Sequence, residues 1–343
     1  MKIKKKILEE DLKYILNANL PWNKLRKKTI MVTGGNGFIA SYMIHSLLEA
    51  NARHQLGLNV ISVIRKTSTS KIRHPDLNIL KTDLENFDAS KISKTDIIIH
   101  AASKASPKYF KKQSLDIIKT NITSTINLLE LAKNKSEKFL FISSGEVYGE
   151  IEDYNMSISE EYYGKINHLD ERSVYAESKK VGELICKNYS KNNKLKVMIA
   201  RPFHTYGPGI NLNDGRVFSD FVNAVVKQKE IEINSKGDSK RPFCYISDAV
   251  IALLTILLKG KNSNVYNIAN PNSEIKIKDL ALFLSNLAPS KKIKIKYKKV
   301  KNMSNPLKRQ KVSIDKIKKL NWSPKIGIKQ GFEKTINFYM KEC

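Results

Sequence analysis

The chain of 343 residues is 41% apolar and 27% charged, and its 61 basic against 33 acidic residues give a formal net charge of +28. The longest apolar run, around residues 249–258, is too short to cross a bilayer, and charged residues within 9–13 interrupt any apolar segment of a signal peptide. Three scattered cysteines provide neither a disulfide framework nor metal-ligand spacing. The composition therefore excludes a membrane-spanning or disulfide-stabilised protein and predicts a globular protein of the cytoplasm, without a metal or membrane partner.

The large positive charge has two interpretations, a nucleic-acid partner and a lysine-rich surface. Lysines are spread along the whole chain, with local crowding at 291–301 and 308–319, and no basic stretch is interleaved with aromatic residues. Dispersed charge is typical of solvated lysines, so we favour the second interpretation and expect no specific nucleic-acid partner.

Residues 1–28 are expected to form an N-terminal helical extension. Apolar residues recur at helical spacing between Leu8 and Leu16, which predicts a short amphipathic helix that ends before Pro21. The sequence of this extension does not indicate a function.

From Thr29 onward, strand patterns alternate with helical patterns. The predicted strands are Thr29–Thr33, Asn59–Ile64, Asn78–Lys81, Asp96–His100, Lys138–Ser143, Lys196–Ala200 and Val265–Ile268. Helical patterns lie between them, notably at Ile117–Lys133 and Val174–Tyr189. Several strands are continuous apolar runs, as expected for parallel strands that are buried on both faces. The alternation predicts an α/β fold with a Rossmann-type, doubly wound parallel sheet.

The stretch Thr29–Ala40 consists of an apolar strand, a glycine turn and the start of a helix. Gly34 permits the tight turn, and Gly37 lets a pyrophosphate approach the backbone N–H groups at the helix N-terminus. Ala40 is small where the helix must pack closely on the strand. This context predicts a dinucleotide-binding βα unit and a bound nicotinamide cofactor.

The residues after the second strand leave the cofactor open between NAD and NADP. NAD-binding domains usually carry an acidic residue there for the ribose 2′-OH, whereas Arg65 suits a 2′-phosphate. Alternatively, Arg65 stacks on the adenine or faces solvent. Asp83 is placed to accept from the adenine amino group, and His100 is expected to be a packed strand-end residue. The predicted cofactor-binding residues are Gly34, Gly37, Phe38, Ile39, Arg65, Asp83, Leu84, Ala101, Ala102, Ser103, Tyr175 and Lys179.

The alternation loosens after Phe203, where glycine and proline residues mark loops. We predict that residues 29–203 form the dinucleotide-binding domain, to which 238–270 return. Residues 204–237 and 271–343 are expected to form a smaller C-terminal substrate-binding lobe that covers the open edge of the sheet.

A candidate base lies about 140 residues after the glycine turn. Tyr175 and Lys179 are four residues apart and share one face of a predicted helix. A free tyrosine has a pKa near ~10, and a neighbouring ammonium would favour the phenolate that abstracts a proton at neutral pH. Ser144 and Glu146 follow the fifth predicted strand, at the sheet edge where ligands bind. We predict that Ser144 holds the reacting oxygen and that Glu146 acts as an acid or base.

With these residues the chain resembles the extended short-chain dehydrogenase/reductases of the NAD-dependent epimerase/dehydratase family, from about Thr29 to Phe338. Within that family it looks most like the UDP-glucuronate decarboxylases. The segments that carry the resemblance are Thr33–Ala40, Ala102–Tyr109, Ser144–Gly149, Tyr175 with Lys179, Arg201–Pro208, Asn213–Val217 and Arg241–Asp248.

The resemblance implies an NAD(P)-dependent enzyme in which Tyr175 takes the proton of the C4 hydroxyl of a nucleoside-diphosphate sugar while C4 is oxidised. The 4-keto sugar can then lose a C5 carboxylate, which is the outcome we favour, or it can dehydrate or be reduced on either face. The substrate-binding residues that the resemblance implies are Ser144, Gly145, Glu146, Arg216 and Arg241, the two arginines on the diphosphate. It also implies a homodimer that pairs the helices near Ile117–Lys133 and Val174–Tyr189. Asp248 begins an apolar helical run, and we expect it to cap that helix.

Four features depart from the decarboxylases. Gly145 stands where a serine is usual, Gly209 where an arginine follows Tyr-Gly-Pro, and Arg65 where an acid marks NAD, and an N-terminal helix is added. The 4,6-dehydratases of the family carry an Asp-Glu pair at 145–146, so Gly145 disfavours dehydration by that route, whereas a 4-epimerase remains an alternative. A catalytically silent Rossmann-fold binding protein is the alternative of another class, although such proteins tend to lose the tyrosine–lysine pair.

Overall fold

The computed structural model describes residues 2–89, 92, 94–151, 156–288, 293–298 and 311–340, with side chains from residue 5 onward. The strands are β1 (Thr29–Thr33), β2 (Asn59–Ile64), β3 (Leu77–Lys81), β4 (Ile97–His100), β5 (Lys138–Ile142), β6 (Lys196–Pro202), β7 (Thr205–Tyr206), β8 (Ile231–Ile233), β9 (Lys240–Pro242), β10 (Cys244–Tyr245), β11 (Asn264–Ile268), β12 (Glu274–Lys276) and β13 (Ile295–Tyr297). The helices are α1 (Lys2–Leu16), α2 (Phe38–His54), α3 (Ser114–Ile118), α4 (Ser124–Lys135), α5 (Val174–Asn192), α6 (Val217–Val226), α7 (Ile246–Lys259), α8 (Ile277–Asn286), α9 (Asp315–Lys318) and α10 (Ile328–Tyr339).

Seven parallel strands form the central sheet in the order β11-β6-β5-β4-β1-β2-β3. The order reverses between β1 and β4, because β2 and β3 lie on one side of β1 and the later strands on the other. In such sheets, ligands bind outside the carboxyl ends of the strands at this switch point. The predicted α/β Rossmann-type fold is therefore confirmed, and its switch point lies beside the glycine turn that follows Thr33.

All seven predicted strands are present, with ends that differ from the prediction by two residues at most. The central strands β1 and β4 are buried along their whole length, and β5 along all but its first residue. The edge strand β3 is more exposed. Burial on both faces explains why the interior strands are continuous apolar runs, which made them recognisable in the sequence.

The predicted helix at Ile117–Lys133 is three pieces rather than one. The short α3 passes into a π-helical turn at Lys119–Thr123, and α4 follows from Ser124. A π turn inserts one residue into the helical spacing and is found frequently at functional sites. The apolar periodicity does not reveal it, because the side chains before and after the turn still face the core.

Three two-stranded pairs, β7 with β10, β8 with β13 and β9 with β12, lie beyond the central sheet. They belong to the part of the chain in which the alternation of strands and helices loosens. The division into a dinucleotide-binding domain and a substrate-binding lobe remains a prediction. Part of the predicted lysine crowding, at 291–292, 299–301 and 308–310, lies outside the described residues.

The N-terminal helix α1 packs against α2, α7 and α10. Asp11 on α1 is fully buried and accepts hydrogen bonds from the hydroxyls of Tyr42 and Tyr245, at 3.2 and 2.9 Å. The ammonium of Lys334 donates to the same carboxylate at 3.1 Å. Because these three partners come from α2, β10 and α10, the extension is integrated into the core rather than attached to its surface.

Asp248 does not cap its own helix, contrary to the expectation from sequence. It is the third residue of α7, and the residue before that helix, Tyr245, makes no side-chain capping bond. The buried carboxylate of Asp248 instead accepts from the hydroxyl of Tyr14 at 2.8 Å and from the backbone N–H groups of Lys325 and Ile326 at 3.0 and 2.8 Å. Asp248 therefore joins α1 to the segment before α10.

Candidate active site

The glycine turn after β1 forms a cradle whose shape depends on missing side chains. Gly34 has a φ of +71°, and a Cβ there would lie 2.8 Å from the Cα of Ala102. A Cβ on Gly37 would lie 2.9 Å from the carbonyl oxygen of Gly34. Gly37 is also the residue that precedes α2, where free N–H groups favour an anion. The cradle therefore fits the close approach of a dinucleotide pyrophosphate, as the predicted motif requires.

A chain of hydrogen bonds fixes the cradle to the next strand. The Thr33 hydroxyl oxygen accepts from the N–H groups of Ala101 and Ala102, both at 3.1 Å, so its own proton points to Nδ1 of His100 at 2.8 Å. Nε2 of His100 then donates to the hydroxyl of Thr125 at 3.1 Å. Burial lowers the pKa of His100 to about 3, helped by the charge of Lys179. The ring is therefore neutral and structural, as expected from the sequence.

Asn121 connects the cofactor side of the site to the helix that carries Tyr175. It is fully buried in the π-helical turn. Its Oδ1 accepts from the Ser103 hydroxyl at 2.7 Å, and its Nδ2 donates to the Ser178 hydroxyl at 2.9 Å. Ser178 in turn donates to the Tyr175 carbonyl at 3.0 Å. Asn121 was not predicted from the sequence, and the only signal for it is a polar residue within an apolar helical pattern.

The phenol of Tyr175 lies where several of the predicted site residues meet. Burial outweighs the other effects and raises the pKa of Tyr175 above its ordinary value, although a hydrogen bond with Ser144, the positive charge of Arg216 and a hydrogen bond with Ser103 act to lower it. The charge of Glu146 acts in the opposite direction. The aromatic ring stacks on Phe110, with centroids 5.2 Å apart and planes 10° from parallel. The ring is thus held rigidly while its hydroxyl faces polar partners.

Lys179 is 1% exposed and lies one turn after Tyr175 on α5. Its Nζ donates to the carbonyl of Ile142 at 2.8 Å and lies 4.7 Å above the ring of Phe141. Burial lowers the pKa of Lys179 to about 7, against the opposing charges of Cys186 and Glu183. The ammonium is therefore positioned by the carboxyl end of β5, and the expectation that it favours the Tyr175 phenolate remains a prediction.

Two arginines and one carboxylate belong to the predicted substrate-binding set. Arg216 precedes α6, donates to the Ala105 carbonyl at 3.1 Å and pairs with Asp214 at 3.4 Å. Arg241 lies on β9, and its burial lowers its pKa while the charge of Glu146 raises it. Glu146 is exposed in the short helical turn after β5. Ser144 and Glu146 thus act on the phenol from the turn after β5, and Arg216 acts on it from the start of α6. Arg241 interacts with Glu146.

Gly145 is packed against an aromatic ring. A Cβ at this position would lie 2.6 Å from the ring atoms of Phe203, and Gly145 itself is buried. Phe203 stacks on Tyr148, with centroids 5.9 Å apart. Any side chain at 145 would therefore displace Phe203. The packing thus favours glycine at the position where the decarboxylases usually carry a serine.

An ion pair between Arg201 and Glu183 supports the residues that surround the site. Arg201 donates to both carboxylate oxygens of Glu183, at 2.9 and 2.6 Å, and also to the Tyr148 hydroxyl at 2.7 Å. The Ser143 hydroxyl donates to the same carboxylate at 2.5 Å, and Tyr148 donates to Asn267 at 2.6 Å. The network joins the residue before Ser144, the turn that holds Glu146 and the helix that holds Lys179.

The remaining predicted cofactor residues follow the carboxyl ends of β1, β2 and β3. Phe38 and Ile39 open α2, Arg65 is exposed just after β2, and Asp83 is exposed after β3 next to the buried Leu84. Their roles remain predictions.

Among the described ranges, no group of three or more His, Cys, Asp or Glu side chains is arranged to hold a metal ion. No helix within the described part of the chain has the length and apolarity needed to cross a bilayer.

The profile of the NAD dependent epimerase/dehydratase family matches residues 30–269. UDP-glucuronic acid decarboxylase 3 of Arabidopsis thaliana is 33% identical over 306 residues, which cover 88% of this chain and 86% of the relative. UDP-glucuronic acid decarboxylase 1 of Xenopus tropicalis is 31% identical over 317 residues, which cover 92% of this chain and 73% of the relative. Among solved structures, UDP-glucuronic acid 4-epimerase from Bacillus cereus, in complex with UDP-glucuronic acid and NAD, has a TM-score of 0.78 and 25% identity, over 91% of this chain and 98% of the epimerase.

Proposed function

This chain belongs to the NAD dependent epimerase/dehydratase family and is a nucleotide-sugar enzyme, and we propose that it oxidises the sugar C4 hydroxyl and decarboxylates UDP-glucuronate. The observation that carries the proposal is the position of the Tyr175 phenol, in contact with Ser144 and Ser103 at the carboxyl edge of the parallel sheet. A base at this edge, next to a dinucleotide cradle, suits the removal of a proton from a hydroxyl while its carbon is oxidised.

In this proposal the Ser144 hydroxyl holds the C4 oxygen and Tyr175 takes its proton. Stacking on Phe110 fixes the ring of Tyr175, and the phenol forms a hydrogen bond with Ser144. The charge of Arg216 favours the phenolate and so offsets part of the rise in the pKa of Tyr175 that burial causes. A nicotinamide dinucleotide held in the cradle would supply the hydride-transfer chemistry that this oxidation requires. The residues that would hold the cofactor are Gly34, Gly37, Ala102, Ser103 and Lys179.

The carboxylate lost in the reaction would lie on the side of Glu146. Oxidation at C4 turns a C5 carboxylate into a β-keto acid, which loses CO2 and leaves an enolate at C5. In this proposal Glu146, whose charge acts on both the Tyr175 phenol and Arg241, delivers a proton to that carbon. Arg241 and Arg216 come from β9 and from the start of α6, and their planar forks suit the oxygens of a diphosphate.

Dehydration is disfavoured by the packing of Gly145. A 4,6-dehydratase of this family uses an acid at this position, whereas here the ring of Phe203 fills the space that its side chain would need. A 4-epimerase is the second candidate, because its reaction also begins with C4 oxidation and needs no acid at 145. The fold match to a UDP-glucuronic acid 4-epimerase favours it. The presence of both Tyr175 and Lys179 argues against a catalytically silent binding protein.

Product masses separate these candidates. The protein is incubated with UDP-glucuronate and, in parallel, with UDP-, dTDP-, GDP- and CDP-hexoses. Decarboxylation predicts release of CO2 from the uronate and a pentose product. An unchanged mass with a changed retention time would indicate epimerisation, and loss of water would indicate dehydration. If no substrate is converted although cofactor is bound, the proposed oxidation of a sugar C4 hydroxyl is wrong.

We further propose that two copies of the chain pair through α3 and α5. Leu115 and Leu184 are 70% and 61% exposed, and Ile118 and Val181 are also exposed, which is unusual for large apolar side chains on neighbouring helices. Light scattering after size-exclusion chromatography should give a dimer mass that Leu184→Glu reduces to that of a monomer. Leu282→Glu, at an exposed position of α8, is the control that should remain dimeric. A monomer mass for the unmodified chain would contradict the pairing.

A further inference from the structure

A basic turn follows β2 and lies directly beside the glycine turn. The Gly35 N–H donates to the carbonyl of Val63 at 3.0 Å, so the glycine turn rests against the carboxyl end of β2. The Ser68 N–H donates to the Arg65 carbonyl at 2.9 Å and closes a turn over residues 65–68. Arg65 and Lys66 are both exposed within this turn.

The amide of Asn36 fixes the loop that contains the basic turn. Asn36 lies inside the glycine turn, and its Nδ2 donates to the Thr69 carbonyl at 2.9 Å. Its Oδ1 accepts from the Lys71 N–H at 2.9 Å. Both polar atoms of one side chain are thus engaged by the same loop, so the distance between the basic turn and the cofactor cradle is set by the fold.

The residues that follow β2 are basic, whereas a free ribose 2′-hydroxyl is usually bound by an acidic residue. No acidic residue occurs between residues 50 and 75 of the sequence. Asp83 lies one strand further along the sheet, after β3. The pKa of Asp116 is lowered chiefly by its hydrogen bond with Lys104 and only to a small extent by the charge of Arg65. A 2′-hydroxyl would therefore find cations here, whereas a 2′-phosphate would find complementary charge.

We propose that Arg65 and Lys66 form a subsite for the 2′-phosphate of NADP, so that this chain binds NADP more tightly than NAD at the same cradle. The guanidinium of Arg65 matches two phosphate oxygens, and Lys66 adds a second positive charge. The proposal rests on the proposed function only in that it requires the dinucleotide cradle. NAD would still bind at the glycine cradle, but the turn that contains Arg65 and Lys66 would offer no carboxylate side chain to accept from its ribose 2′-OH.

Two nucleotide fragments test the subsite without turnover. Calorimetry compares 2′,5′-ADP, which carries the 2′-phosphate, with 5′-AMP, which lacks it. The chain should bind 2′,5′-ADP at least about tenfold more tightly, as expected for a charge-assisted contact. Arg65→Ala should remove about tenfold of the affinity for 2′,5′-ADP and change that for 5′-AMP less than about twofold. Arg73→Ala, another exposed arginine on the same loop, is the control and should alter neither.

Three results would overturn the proposal. Equal affinity for the two fragments would show that the phosphate is not recognised. An equal loss of both on Arg65→Ala would place the arginine on the adenine instead. Failure of both fragments to bind would refute the subsite together with the cradle. None of these arms needs a sugar substrate, so a failure to decarboxylate UDP-glucuronate would be distinguishable from a failure of the subsite. The mass of the cofactor released on denaturing the purified protein should be that of NADP.

Discussion

Burial of the Lys179 ammonium is expected to destabilise the fold, and Lys179→Met should therefore stabilise the protein. Lowering the pKa of Lys179 from 10.5 to about 7 by burial corresponds to about 5 kcal/mol against the charged form at low pH, and slightly less at pH 7. The methionine loses the hydrogen bond to the Ile142 carbonyl, worth about 2–3 kcal/mol for a charged donor. The net expectation at pH 7 is a gain of about 2 kcal/mol in the free energy of unfolding.

The pH dependence gives this prediction its sign. Because the folded-state pKa lies below the unfolded-state value, the unfolded chain binds more protons between pH 7 and 10.5, and the unmodified protein gains stability as the pH rises. That gain is about 2 kcal/mol by pH 9, so the advantage of Lys179→Met should disappear there. Urea unfolding at pH 7 and 9 measures both differences, and Lys187→Met, at an exposed position on the same helix, should change neither. A destabilised variant, or an advantage that is the same at both pH values, would refute the burial argument.

Three further predictions follow from the site and its support. Tyr175→Phe should lower kcat by about 10²–10⁴-fold with unchanged binding of 5′-AMP, whereas Tyr163→Phe, at an exposed position, should retain activity; equal rates in the two variants would remove Tyr175 as the base. Burial lowers the pKa of His100 to about 3, so the stability that its neutral form contributes is complete above pH 6.5 and is lost as the pH falls towards 3. The free energy of unfolding should therefore be about 2 kcal/mol lower at pH 5 than at pH 7, and His100→Asn should reduce this difference. Glu183→Gln leaves the Arg201 guanidinium without its charged partner and should destabilise the fold by about 3 kcal/mol in thermal or urea unfolding, whereas a loss below about 1 kcal/mol would show that solvent compensates.

The sequence was sufficient for the central sheet because its strands are buried runs with clear boundaries. Each of the seven predicted strands lies within two residues of the observed one. The glycine cradle could also be predicted, since the Gly34 turn depends on local backbone geometry. Tyr175, Ser144 and Glu146 could be assigned to one edge because carboxyl ends of parallel strands meet there. The structure places Ser144 and Glu146 next to the phenol of Tyr175.

Contacts between distant segments could not be predicted. The π turn that buries Asn121 leaves no trace in the apolar periodicity, so the link from Ser103 to the catalytic helix was missed. Asp248 was assigned to its own helix because local capping is the commonest use of an aspartate there, whereas its partners lie about 77 and 234 residues away in sequence. The close contact of Gly145 with Phe203 is likewise a tertiary event.

The measurement that tests the account most directly is the product mass from UDP-glucuronate labelled with deuterium at C4. If Tyr175 serves oxidation at C4 and the same hydride is returned to the sugar, the product should be lighter by one CO2 and should retain the deuterium. In deuterated water the unlabelled substrate should acquire one solvent deuterium, at C5. Loss of the C4 label into solvent, or release of CO2 without any involvement of C4, would contradict the central claim.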